Sequence, residues 1–179
     1  MNNYKAVSTP LVHNEKLQKE DGFGKADALQ YKSLIRSLLY LTTTRLDIMY
    51  STSLLSRFKQ KPSQKNYGTA RRILRYLQDI KDYGIHHKST EDPKLLGYTD
   101  SDEARSTDDM KSNYGYAITL RSGVFSWASK EQKTMAQSSA KAKYVATANA
   151  TSQAIWLWKI FEDIEEQQEE PITMLCDNK

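Results

Sequence analysis

Leu95-Leu96-Gly97-Tyr98-Thr99-Asp100 and Ile172-Thr173-Met174-Leu175-Cys176-Asp177 are two short apolar segments that each end on an aspartate. Both have the length and composition of a strand. Between them, Tyr114 to Leu120 and Val124 to Ala128 read as two more strands around a turn at Arg121-Ser122-Gly123, and a helical run extends from about Ser138 to Ile164. The order strand, strand, strand, helix, strand predicts a hairpin meander and then a crossover helix that returns the last strand beside the first, parallel to it. Such pairing brings Asp100 and Asp177 together at one end of the sheet.

Upstream the periodicity is helical. Tyr31, Leu34, Ile35, Leu38, Leu39 and Leu41 form one apolar stripe behind Asp27, a suitable cap. A second helix is expected with Asp47 as N-cap and Ile48, Leu55 and Phe58 inward, broken at Lys61-Pro62. Ser63 opens a third, with Ala70, Ile73, Leu74, Leu77 and Ile80 buried and an end near Gly84. The expected organisation is an irregular leader over 1–26, a basic helical module over 27–88 and a mixed sheet over 93–179. The fold class is therefore α+β or α/β.

A net charge of +4 on 179 residues is modest, but its distribution is uneven. From Lys32 to Lys88 twelve lysines and arginines face only Asp47, Asp79 and Asp82. That balance favours a phosphate-contacting surface, with Lys65, Arg71, Arg72 and Arg75 as candidate contacts and Tyr67 and Tyr76 as stacking candidates. A solvated helix face is the plainer reading of the same residues. Glu162, Asp163, Glu165, Glu166, Glu169 and Glu170 would repel a polyanion. One thiol, Cys176, excludes an internal disulfide and a multi-cysteine zinc site and suits a reducing intracellular compartment. No signal-peptide or membrane-spanning run is present in the sequence, so a soluble protein is expected.

Converging carboxylates at a strand end can hold divalent cations that activate water for phosphodiester cleavage, and Mg²⁺ demands oxygen ligands. Asp100 and Asp177 suit that role. They equally suit strand-end turns, and Lys141 and Lys143 by themselves read as solvated lysines. His13 and the adjacent His86 and His87 lack further ligands at zinc spacing and are expected at the surface. Of the three tryptophans, Trp127 is expected to pack in or beside a strand rather than stack on bases.

Several runs together resemble the Pol polyprotein of copia-type retrotransposons, over the portion that follows the polymerase active site and enters the ribonuclease H domain. They are residues 31–41 (YKSLIRSLLYL), 45–50 (RLDIMY), 70–77 (ARRILRYL), 97–102 (GYTDSD), 122–127 (SGVFSW) and 176–179 (CDNK), in the family's order and spacing. The resemblance implies a thumb or connection-like helical segment followed by an incomplete ribonuclease H-like fold. Asp100 and Asp177 match the first and third catalytic acids, which would bind Mg²⁺ or Mn²⁺. In the family the helix motif reads Ser-Ser-Thr-Glu-Ala-Glu-Tyr, whereas Ala140-Lys141-Ala142-Lys143-Tyr144 stands here, with Lys143 at the position of the catalytic glutamate.

Other departures follow. The family's Asp-Trp-Ala-Gly is Asp102-Glu103-Ala104-Arg105, and the final helix and last acid of the pattern lie beyond Lys179. The polymerase's paired aspartates would lie upstream of Met1, so no polymerase activity is expected. The resemblance thus implies a degenerate fragment, catalytically inactive, that retains binding to an RNA–DNA hybrid or other nucleic acid and belongs beside the remainder of a Pol polyprotein. A salt bridge from Lys143 to Asp100 would neutralise the site. Two alternatives stand: a weak metal-dependent hybrid nuclease in which Asp102 or Glu103 replaces the lost glutamate, and a non-catalytic nucleic-acid-binding module. Ending at Lys179 is also expected to expose apolar surface on one sheet face.

Overall fold

The computed structural model describes residues 5–13, 15, 17–88, 94–102, 110–120, 122–166 and 170–177; Glu103 and Arg105 lie outside them, as does the side chain of Asp102. The chain is mixed α/β and divides into two compact units, residues 1–84 and 85–179. Among the described residues no helix is long and apolar enough to cross a membrane.

The first unit is helical. α1 (Ala28–Leu41) starts at Asp27, whose carboxylate accepts from Leu29 N and Gln30 N, satisfying two of the amides that a helix start leaves unpaired. A 3₁₀ turn (Leu46–Ile48) leads into α2 (Met49–Ser56), and α3 (Gln64–Asp79) opens on a reciprocal capping box between Ser63 and Asn66. Tyr31, Ile35, Leu38, Ile48, Leu55 and Ile73 are fully buried in one cluster. Tyr31 hydroxyl donates to Leu55 O at 2.8 Å, so its single polar atom is satisfied inside that core.

Two expectations for this unit change. Asp47 does not cap α2, which begins without a side-chain cap, because its carboxylate is taken by Arg45. The leader is irregular yet packed: Leu17 is buried in the helical core, and Gln64 N donates to Gly24 O while Ala26 N donates to Pro62 O.

The second unit is a four-stranded sheet with one long helix. β1 (Leu95–Asp102), β2 (Asn113–Leu120) and β3 (Gly123–Glu131) form the antiparallel meander, α4 (Ser139–Asp163) crosses over, and β4 (Thr173–Cys176) pairs parallel to β1. The sheet order is β3-β2-β1-β4. Strands run longer than the apolar segments that announce them, since the ladder continues through Ser101 and Asp102 against Tyr114 and Asn113. The buried stripe of α4 is Ala142, Ala146, Ala150, Ala154 and Leu157, so small side chains let the helix lie close on the sheet. Ile155 and Ile164, apolar by type, face outward.

Candidate functional site

Strand pairing decides where the two aspartates stand. β1 and β4 are in register at Leu96 with Thr173, Gly97 with Met174, Tyr98 with Leu175 and Thr99 with Cys176, and Asp100 and Asp177 each follow that last pair. Close approach depends on Gly97, over which the Met174 thioether lies where a Cβ would sit. Alternation sorts the faces: Leu95 and Thr99 are buried on the side covered by α4, Leu95 sharing a cluster with Ala154 and Leu157. Asp100 stands with Tyr98 on the other side, and both are exposed. Tyr98 and Leu175, neighbours in the register, leave apolar surface on that open face, 44% and 47% exposed.

The Asp100 carboxylate accepts from Ser101 N at 2.7 Å, and Thr99 hydroxyl donates to Gly115 O at 3.2 Å. Lys143 reaches the same sheet end from α4, but its Nζ donates to the main-chain oxygen of Asp177 at 2.8 Å. Among the described residues no ion pair joins it to Asp100; the ammonium bonds a carbonyl instead. One helical turn on, Thr147 Oγ1 lies 3.8 Å from Cys176 Sγ. Gln132, buried at the end of β3, donates through Nε2 to Ala142 O at 2.8 Å and ties this turn of α4 to the meander.

Asp100, Asp177 and Lys143 alone do not supply the oxygen ligands of a two-metal centre. Such a centre needs several converging oxygen ligands, and among the described residues no three His, Cys, Asp or Glu side chains are grouped to hold a metal ion. His13, His86 and His87 are exposed, as expected for surface residues.

The basic candidates of the helical unit fall into two groups. Arg71 is exposed, its guanidinium 4.4 Å above the Tyr67 ring, whose hydroxyl donates to Gln30 Oε1 at 3.2 Å. Arg75 lies one turn beyond Arg71 and is half-buried. Arg72 instead holds the leader, donating to Thr9 O at 3.1 Å and to Thr9 Oγ1 at 3.0 Å, and Lys65 stands 3.9 Å from Glu15. Tyr76 shares Asp47 with Arg45: burial and then the hydrogen bond to Asp47 push its hydroxyl above the ordinary tyrosine value. Burial alone pushes Asp47 up, yet the bonds from Arg45 and Tyr76 and the arginine's charge hold it below the ordinary carboxylate value.

Sequence reasoning passes over Arg45, Gln132, Thr147 and the leader contacts. Arg45 carries a usable signal, an acid two residues away at Asp47. Gln132 carries none, because its partner is a main-chain carbonyl.

No family model matches the chain, and no solved structure matches it. Curated relatives do. The chain is 34% identical over 174 residues to the retrovirus-related Pol polyprotein from transposon RE2 of Arabidopsis thaliana, covering 97% of this chain and 12% of that protein. It is 35% identical over 186 residues to the retrovirus-related Pol polyprotein from transposon TNT 1-94 of Nicotiana tabacum, covering 100% of this chain and 14% of that one. A further relative, secreted RxLR effector protein 161 of Plasmopara viticola, is 37% identical over 128 residues, which span 71% of this chain and 90% of the effector. The chain thus spans only a small part of the two polyproteins. On these matches over nearly its whole length, the chain belongs to the family of Pol polyproteins from copia-type retrotransposons.

Proposed function

We propose that this is a degenerate Pol segment whose sheet unit is ribonuclease H-like, keeps the strand pairing of a hybrid-cleaving nuclease and lacks its two-metal chemistry. One observation supports the reading: β1 and β4 run parallel up to the residues just before Asp100 and Asp177, and Lys143 reaches that end with an ammonium bonded to Asp177 O. Parallel pairing after a crossover helix is what lets two acids distant in sequence meet at one sheet end. A lysine in place of a third acid removes an oxygen ligand and replaces a negative charge with a positive one, which disfavours Mg²⁺ and Mn²⁺ alike.

Nucleic-acid contact, in this reading, belongs to the helical unit. Tyr67, Arg71 and Arg75 follow one another at one-turn spacing along α3, with an exposed guanidinium stacked on a ring. That is a face able to meet a phosphate backbone and an unstacked base. Lys65, Arg72 and Tyr76 have internal partners and are secondary contacts.

The test is cleavage and binding of a labelled RNA–DNA hybrid in Mg²⁺ and separately in Mn²⁺. The parent chain is expected to bind without cutting, with affinity falling steeply as salt rises, and Arg71→Ala is expected to lower the salt slope by about one. Recovery of cleavage in Lys143→Glu would show that the lysine alone disables the site. Cleavage by the parent, lost in Asp100→Asn, would overturn the inactive reading and return Asp102 and Glu103 as replacement ligands.

A further inference from the structure

We propose that Lys143 is a built-in cation that fastens the end of β4 to α4, so that this sheet edge closes without a metal ion. β4 has only four residues and lies at the edge of the sheet, with Thr173, Leu175 and Cys176 exposed. A parallel pair of that length is weak on its own, and Ile172 and Met174 anchor only its beginning and middle in the core cluster.

Its far end is held by α4. Lys143 and Thr147, one turn apart, meet consecutive residues of the strand, the ammonium on Asp177 O and the hydroxyl near Cys176 Sγ. The bond from Lys143 is charge-assisted, the stronger kind. Position also matters: Asp100 and Asp177 each follow the last pair of the β1–β4 ladder, so this end of the sheet carries two acids. Lys143 brings a positive charge to that end, where a divalent ion would need converging oxygen ligands. The mismatch between this donor set and a metal centre thus has a structural counterpart. It concerns how the edge is closed and stands or falls independently of hybrid binding.

Hydrogen exchange on the whole chain tests it, comparing the parent, Lys143→Met and Lys143→Arg in EDTA and in Mg²⁺. The amides of Leu175, Cys176 and Asp177 in the parent are expected to exchange at the same rate with and without Mg²⁺. In Lys143→Met those of the three that bond β1 are expected to exchange about tenfold faster while Ile118 in β2 stays protected, the size of effect that follows from losing one charge-assisted hydrogen bond. Lys143→Arg, which keeps the charge, should retain most of the protection. Unchanged exchange in Lys143→Met, slowing of the parent by Mg²⁺, or equal acceleration at Ile118 would each overturn the proposal, the last by making Lys143 a general packing residue.

Discussion

In the helical unit Arg45 and Arg72 close on partners, whereas in the sheet unit Lys143 reaches a main-chain oxygen instead of an acid. In residues 1–84 Arg45 grips Asp47 with two parallel bonds of 3.0 and 2.9 Å and makes a third to Ile80 O, and Arg72 donates twice to Thr9. In residues 85–179 Lys143 bonds a carbonyl, and among the described residues no ion pair reaches Asp100. The cores differ in the same direction. Six large side chains of the helical unit are completely buried, while α4 meets the sheet chiefly through alanines.

The largest effect expected from breaking this contrast is in the helical core. Leu38→Ala removes a side chain with no exposed surface and should cost roughly 2–5 kcal/mol in urea unfolding, because the surrounding helices relax only in part. Leu157→Ala, at the edge of an alanine-lined interface, should cost less. Equal losses would mean that the two cores are packed alike.

A smaller effect is expected at the Arg45, Asp47 and Tyr76 cluster. Asp47→Asn should cost about 1 kcal/mol near neutral pH, since a charge-assisted pair is lost but both side chains keep some solvent contact. The folded carboxylate titrates below its ordinary value of 3.8, so its contribution is complete above that value and disappears as the pH falls through the folded pKa. The stability gap between parent and Asp47→Asn should therefore close in acid. A gap that persists at low pH would assign the cost to packing instead of charge.

Where the sequence is legible, a local rule and the tertiary structure agree. Asp27 and Ser63 cap the helices they precede, and the change from helical period to alternating strands marks the sheet unit, including the parallel return of the last strand. Asp47 misleads because it satisfies the N-cap pattern while a neighbouring arginine competes for the same carboxylate. The leader hides its role because one buried leucine and several main-chain bonds leave no periodicity to read. Lys143 is legible as a misplaced charge, but its partner is a backbone oxygen, and no side-chain pattern announces that.

Titration of the whole chain with Mn²⁺, followed by the loss of free-ion paramagnetic resonance, tests the proposed loss of the metal site most directly. The account predicts that the parent and Asp100→Asn give the same unsaturable response. A saturable site in the parent that vanishes in Asp100→Asn would contradict it.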